Sequence, residues 1–224
     1  MSRWASSLAL LVGAQLAHAE LPARLEITYD IVRADSRIAE ITAHLERNGD
    51  AYRITERWHG KGIFALLGKA TRISEGNLTA KGPRPREFTD ERSGRDTARA
   101  WFDWAANTLT LRYKGKTRTE PMPPNAQDRL SFILAFTFAP AGTKTMPLAL
   151  VDGKGVSYHV YQLGGRERVQ TAAGEFDAHK ISRDKDGERT EIWLADSLGG
   201  LPVRMLVVEK SGTRWDQVAT RIVR

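Results

Sequence analysis

The sequence contains no cysteine in its 224 residues. This absence excludes disulfide frameworks, zinc–cysteine and iron–sulfur centres, and catalysis by a thiol. The remaining composition, with 41% hydrophobic and 27% charged residues, is typical of a soluble globular protein and excludes collagen-like and disordered classes. Because about 70% of the unfolded surface of a chain this long can be buried, we predict one domain with a packed core over residues 20–224.

Long apolar runs are also scarce, and the clearest one lies near the N-terminus. Residues 8–16 form a short apolar core between Arg3 and an Ala-His-Ala motif. This layout predicts a secretory signal peptide over residues 1–19, cleaved at Ala19/Glu20, since the core is shorter than the ~20 residues that a membrane-spanning helix needs. An uncleaved anchor is the alternative. No later segment is apolar enough to span a membrane, so we expect a periplasmic or secreted protein.

Charge of one sign is not concentrated anywhere. The formal net charge is +7, but basic and acidic residues alternate along most segments, which is typical of solvated surface. We therefore predict no nucleic-acid binding. The histidines after residue 20 show no spacing that is typical of a metal pair on a helix, and we predict no metal site and no cofactor. These histidines are His44, His59, His159 and His179.

A two-residue alternation of apolar and polar side chains dominates the sequence. Residues 25–31 and 39–45 both follow it, and Asn48-Gly49, a strong signal for a tight β-hairpin, comes directly afterwards. The further alternating runs are residues 99–104, 108–113, 156–162, 176–182, 190–194, 203–208 and 217–222. Many strands with one polar face, joined by tight turns, predict a mostly β fold: a curved antiparallel sheet or incomplete β-barrel.

Two apolar segments interrupt this alternation. Residues 125–138 are apolar nearly all round, which predicts one buried helix packed on the concave side of the sheet. Asp128 is predicted to cap this helix, because a carboxylate accepts hydrogen bonds from the free N–H groups at a helix start. Residues 63–67, which glycines bracket, are predicted to form one helical turn or a mobile apolar loop. The stretches 81–86 and 121–124 are predicted to be loops.

Short motifs occur in a characteristic order along the chain. Among them are Asp128-Arg129-Leu130-Ser131, Gly174-Glu175-Phe176 and Leu201-Pro202-Val203-Arg204. In this order they resemble an exported bacterial family known as domain-of-unknown-function family 3108, which implies neither a reaction nor a ligand. The strands after residue 196 show a distant, fold-level likeness to periplasmic lipoprotein carriers, whose incomplete barrels hold acyl chains. Such a likeness transfers function only weakly.

The apolar helix and the aromatic residues give the leading functional prediction. A small barrel either fills its interior with side chains or encloses one ligand. We predict a non-enzymatic periplasmic protein that binds a hydrophobic or amphipathic, lipid-like envelope component, with residues 62–68 as a lid. The predicted ligand-binding residues are Trp58, Phe64, Leu67, Phe132, Phe136 and Trp193.

Two other functions stay open. The first is an interaction module in envelope assembly that holds a protein or polysaccharide partner at a strand edge or basic patch. The second is a hydrolase that uses Asp103 or Asp128. Ser131 is a conceivable nucleophile, but it lacks the Gly-x-Ser-x-Gly turn and a nearby histidine. No set of base, nucleophile and orienting group can be assigned, so no catalytic residue is predicted.

Overall fold

The computed structural model of the protein describes residues 21–224, with the exception of the Leu67 side chain. The predicted signal peptide and its cleavage site at Ala19/Glu20 lie outside the described residues. The strands are β1 (Arg24–Arg33), β2 (Ser36–Asn48), β3 (Ala51–Gly60), β4 (Lys69–Thr79), β5 (Gly82–Arg92), β6 (Ala98–Asp103), β7 (Thr108–Tyr113), β8 (Lys116–Pro121), β9 (Ala126–Asp128), β10 (Thr145–Val151), β11 (Val156–Thr171), β12 (Gly174–Lys185), β13 (Glu188–Ala195), β14 (Leu201–Val208) and β15 (Arg214–Val223). One α-helix, α1 (Ser131–Ala135), and 3-10 helices at Gly62–Leu67, Phe136–Phe138 and Asp196–Leu198 complete the described elements.

All the described strands belong to one sheet, in the order β8-β7-β6-β5-β4-β3-β2-β1-β15-β14-β13-β12-β11-β10-β9. β1 to β8 form one meander, β10 to β15 form a second, and the two meet where β1 pairs with β15. Within residues 21–224 each strand pair is antiparallel except β9 with β10. The prediction of a mostly β, antiparallel fold is confirmed, and the sheet is open rather than closed into a barrel.

Alternation in the sequence decides which side chains enter the core. In β1, Leu25, Ile27 and Tyr29 are buried, while the residues between them are only half-buried, as the two-residue period of a strand requires. The predicted hairpin between β2 and β3 is confirmed. Gly49 in its turn has a φ of +58°, a backbone conformation that glycine adopts without steric cost.

The prediction of a loop at residues 81–86 is wrong, because β5 begins at Gly82. Pro83 and Pro85 pair with β4 on one side, whereas the pairing of β5 with β6 starts only at Glu87. The other side of both prolines therefore has no strand partner in the described chain. A strand tolerates a residue without an N–H at such a place.

The predicted helix over residues 125–138 is much shorter in the structure. Asn125 has a φ of +53°, which is not helical, and the next three residues pair with β10 as strand β9. Only α1 and the 3-10 helix Phe136–Phe138 remain helical. Every residue of α1 is buried, so the prediction that this segment is buried is confirmed, although α1 begins with the polar Ser131.

The helix α1 contacts strands that lie far apart in the sheet order. This helix contacts β5, β9 and β14, and five strands separate β5 from β14 in the sheet order. One short helix can reach both only if the sheet is curved. The curvature brings strands of both meanders around a common interior space.

Candidate functional site

Strands of both meanders and the start of α1 enclose a cavity of about 510 Å³. Volumes of roughly 300–1,000 Å³ are typical of sites that take one small ligand. Most side chains on the wall are apolar. They are Leu25, Ile27, Tyr29, Ile41, Ala43, Leu45, Ile54, Leu130, Phe132, Ile133, Leu150, Tyr161, Ile192, Leu201, Pro202, Met205 and Val207. Such a wall can hold an acyl chain or a molecule of similar shape.

Phe132 is the predicted ligand-binding residue that lies on the cavity wall. Its ring centroid is 6.2 Å from that of Phe136 and 5.9 Å from that of Tyr161. Phe136 and Tyr161 meet edge to face at 5.2 Å. Phe136 does not line the cavity itself, but it packs against the two rings that do.

Trp58 and Phe64 lie near the connection between β3 and β4. Both are half-buried and pack against the core, and neither lines the cavity. Leu67 ends the 3-10 helix of this connection, and its side chain lies outside what the structure describes. In the same helix Ile63 and Leu66 are 80% and 92% exposed. The segment is helical, which is one of the two predicted alternatives, but no side chain described in it lines the cavity.

Trp193 is buried on β13, and it lies on the opposite side of the strand from the cavity-lining Ile192. Its indole Nε1 donates a hydrogen bond to Glu167 Oε2 at 2.8 Å. The cationic groups of Lys180 and Arg204 lie 5.1 and 5.2 Å from its ring centroid. Trp193 therefore belongs to a polar cluster outside the cavity.

Charged side chains complete the cavity wall, and most of them are paired. Arg72 Nη1 donates to Glu56 Oε1 at 2.7 Å across the β3–β4 pair. Arg183 forms an ion pair with Glu188 and donates to Thr190 Oγ1 at 3.0 Å. Arg72 and Arg183 each keep a buried Nε that has no hydrogen-bond acceptor among the described residues. Both arginines are thus held in place by carboxylates, and the Nε of Arg72 also lies 3.6 Å from Asp90 Oδ2 in an ion pair.

Arg129 is the third arginine on this wall. Its side chain is exposed towards the cavity, and it makes no hydrogen bond or ion pair with another residue between 21 and 224. The cavity wall surrounds the exposed part of the Arg129 side chain. Partial desolvation and the nearby charge of Arg72 therefore lower the pKa of Arg129. The negative charge of Asp152 acts in the opposite direction and raises this pKa. A partly desolvated cation without a directly paired carboxylate is unfavourable.

His159 contributes a neutral ring beside Arg183. Arg183 Nη1 lies 2.6 Å from His159 Nδ1, and Ser157 Oγ lies 2.8 Å from Nε2. Because a guanidinium can only donate, Nδ1 accepts, and this pattern assigns the ring proton to Nε2. Desolvation and the charge of Arg183 lower the pKa of His159 to about 4. The positive charge on the wall therefore comes from the arginines at neutral pH.

Asp128 directly precedes Arg129 in the chain but is fully buried. Its Oδ2 accepts a hydrogen bond from Ser74 Oγ at 2.6 Å, and its Oδ1 accepts the N–H groups of Leu130 and Ser131 at 2.8 Å each. The Ser131 hydroxyl accepts the Asp128 N–H at 2.9 Å in return. Burial nevertheless raises the pKa of Asp128 to about 6. Asp128 binds the N–H groups at the start of α1, as predicted.

The second candidate catalytic carboxylate, Asp103, is exposed and accepts the N–H groups of Ala105 and Ala106 at 3.0 and 2.8 Å in a turn. Neither Asp103 nor Asp128 lines the cavity. Between residues 21 and 224 no group of three acidic or histidine side chains is arranged to hold a metal ion. In the same range no helix has the length and apolar character needed to cross a membrane.

Sequence analysis did not single out the charged residues of the cavity wall. Arg129 offered one signal, because Asp128 and Arg129 are the only charged residues in the segment 126–136, which is otherwise mostly apolar. Arg72 and Arg183 lie in ordinary alternating patterns of charge. Only the bend of the sheet brings them to one cavity, and this bend is not visible in a local pattern.

The chain was compared with curated proteins, solved structures and protein families. No curated protein matches the chain. Among solved structures, the crystal structure of a "putative lipoprotein" from Parabacteroides distasonis is similar, with a TM-score of 0.42 and 10% identity over 91% of this chain and 97% of that one. The family described as "Protein of unknown function (DUF3108)" matches residues 24–216. Since this match covers most of the sequence, the chain belongs to the DUF3108 family.

Proposed function

We propose that the protein is an exported, non-enzymatic binding protein that holds one lipid-like molecule in the cavity beside α1. The cavity of about 510 Å³ with its largely apolar wall carries this proposal. Export rests on the predicted signal peptide. In this proposal the sheet curves around the ligand, α1 lies on its concave side, and Phe132 is the predicted residue that contacts the ligand.

The energetics of the apolar wall suit a reversible binding protein. Burial of each CH₂ group contributes about 0.8 kcal/mol, so an acyl chain with ten buried groups gains roughly 8 kcal/mol. Lost translational and rotational freedom opposes binding by about 4–15 kcal/mol. The tail alone therefore gives modest affinity, and a specific contact to a headgroup would decide which amphiphile is retained.

The proposal is tested by filling the cavity. Ala43 lines it from β2, and Ala43→Trp places an indole in the space where the ligand would lie. Val160→Trp is the matched control, because Val160 is 52% exposed and does not line the cavity. Binding is measured by displacement of a fluorescent fatty-acid probe, and circular dichroism checks that both variants are folded.

We expect Ala43→Trp to weaken probe binding about tenfold or more, while Val160→Trp binds as the wild type does. Wild-type protein that binds no single-chain amphiphile would contradict the proposal. Folded Ala43→Trp protein with unchanged affinity would contradict it equally, because the probe would then bind elsewhere.

The interaction module is the second candidate function, and the exposed pair Ile63 and Leu66 favours it. Two neighbouring apolar side chains at 80% and 92% exposure are unusual unless they meet a partner. The double variant Ile63→Ser/Leu66→Ser should leave probe binding unchanged. If it also removes a crosslinked species that wild-type protein forms in its own compartment, the second candidate is supported; an unchanged crosslinking pattern contradicts it.

A further inference from the structure

The cavity wall carries three arginines and three carboxylates, so its formal charges balance, but the pairing of these charges is uneven. The two lining glutamates are each held by an arginine, Glu56 by Arg72 and Glu188 by Arg183. Arg129 makes no ion pair or hydrogen bond within the described part of the chain. Arg129 is therefore the cation on the wall that no carboxylate neutralises by direct contact.

Asp152 balances the charge of Arg129 in the formal count, but it does not pair with the Arg129 side chain. It is the remaining carboxylate on the wall, and its Oδ1 accepts the N–H groups of Lys154 and Gly155 at 3.0 Å each. Asp152 and Arg129 form no ion pair, because no Asp152 oxygen lies within 4 Å of the Arg129 guanidinium. Asp152 shapes its own turn and leaves Arg129 available.

Arg129 is also placed where the polar and apolar parts of the wall meet. The next residue, Leu130, and Phe132 after it both line the apolar part. A tail that packs against these two side chains brings the other end of the molecule within reach of the guanidinium. The same short segment thus presents contacts for a tail and for a headgroup.

The surroundings of Arg129 favour an anion over a neutral or cationic headgroup. Arg72 and Arg183 line the same cavity, and each has a buried Nε without an acceptor. The charges of Arg183 and Arg129 both contribute to the lowered pKa of His159, so the potential is positive on that side as well. A planar guanidinium binds carboxylate and phosphate groups with two parallel hydrogen bonds.

We propose that the ligand is a single-chain amphiphile with an anionic carboxylate or phosphate headgroup, and that Arg129 binds this headgroup. The inference rests on the proposed function, because it assigns a ligand class to the same cavity. One chain, rather than two, fits a cavity of about 510 Å³, which is a volume for a single small ligand.

Calorimetric titration with three probes tests the assignment. Laurate carries both a tail and a negative charge, 1-dodecanol carries the same tail without the charge, and inorganic phosphate carries the charge without a tail. The variants are Arg129→Gln, Arg129→Lys and the control Arg95→Gln, which removes an exposed positive charge outside the cavity. Unfolding curves confirm that each variant is folded.

We expect wild-type protein to bind laurate about tenfold more tightly than dodecanol, since a hydrogen bond to a charged group contributes roughly one factor of ten or more. Arg129→Gln should remove this preference by weakening laurate alone. Arg129→Lys should keep part of it, and Arg95→Gln should behave as wild type. Phosphate alone should not bind measurably.

The outcomes separate this inference from the proposed function. If laurate and dodecanol bind equally and Arg129→Gln changes neither, the headgroup assignment is overturned while the cavity still binds a tail. If wild-type protein binds neither chain, the proposed function fails together with this inference. If phosphate binds in a way that depends on Arg129 and laurate does not bind, the site takes a free anion. This result would overturn the assignment of an amphiphilic ligand.

Discussion

Two polar regions of the molecule lie on either side of the peptide bond between Asp128 and Arg129. They differ in whether their polar side chains find hydrogen-bond partners within the protein. The Asp128 network consists of Tyr52, Ser74, Asp128 and Ser131. Tyr52 Oη lies 3.3 Å from Ser74 Oγ, which in turn donates to the Asp128 carboxylate at 2.6 Å. All four residues are buried, and they connect β3 and β4 to the start of α1. This region is satisfied entirely from within the protein.

The arginine cluster, Arg72, Arg129 and Arg183, lies on the other side of that bond. Its members line the cavity, and each has N–H groups that make no hydrogen bond in the described chain. An unsatisfied polar group costs stability, so proteins keep few of them away from water. The contrast indicates that the Asp128 network serves the fold, whereas the arginine cluster is the region to which we assign the proposed ligand.

The largest expected effect comes from removing the Asp128 carboxylate. Asp128→Ala leaves Ser74 and the N–H groups of Leu130 and Ser131 without their acceptor inside the core. We expect the free energy of unfolding to fall by about 3 kcal/mol or more, measured by urea denaturation. Asp103→Ala is the control, with an expected loss of about 1 kcal/mol because its turn is exposed. A loss in Asp128→Ala no larger than in the control would remove the distinction between the two regions.

The pH dependence of stability gives the next largest effect. Burial raises the pKa of Asp128 from 3.8 to about 6, so folding favours the protonated form. This contribution to stability is fully present below pH about 4 and is lost as pH rises through about 6. The lost amount is roughly 3 kcal/mol, since one unit of pKa corresponds to about 1.4 kcal/mol.

Asp128→Asn isolates this titration, because the amide cannot ionise and the other groups are shared with the wild type. The difference in unfolding free energy, wild type minus Asp128→Asn, should fall between pH 4 and pH 7. A difference that stays constant over this range would show that Asp128 titrates alike in the folded and unfolded protein.

The arginine cluster should show the smallest effect on stability. Arg129→Gln removes a charge that has no partner, so unliganded protein should be unchanged or more stable by up to about 1 kcal/mol. Arg72→Gln should instead cost about 1–2 kcal/mol, because Glu56 and Asp90 lose a counter-ion. Thermal and urea unfolding measure both. Equal destabilisation by the two variants would place Arg129 among the structural residues.

Much of the sheet could be predicted from local patterns, since the side chains of a strand alternate irrespective of its neighbours. The start of β5 was hidden because Pro83 and Pro85 are typical of loops, and only the missing neighbour on one side of β5 makes them tolerable there. The start of α1 was misplaced for a similar reason. An apolar run does not reveal that Asn125 leaves the helical region or that β9 pairs with β10.

The candidate site was less predictable, because alternation shows which residues share a face but not which face turns inward. The aromatic ring of Trp193 favours a ligand-binding role in the sequence, whereas in the structure its neighbour Ile192 lines the cavity. Arg129 lines the cavity because of tertiary contacts between distant strands, and these contacts have no local signature. The apolar character of the segment around α1 was predictable, and it is the part of the prediction that leads to the cavity.

The central claim, that the cavity holds a lipid-like molecule, is tested most directly by native mass spectrometry of protein purified without detergent from the compartment to which it is exported. We predict a species heavier by one acyl-chain-bearing molecule, and we predict that Ala43→Trp protein lacks it. A single unliganded mass for the wild type, together with no binding when laurate is added, would contradict the claim.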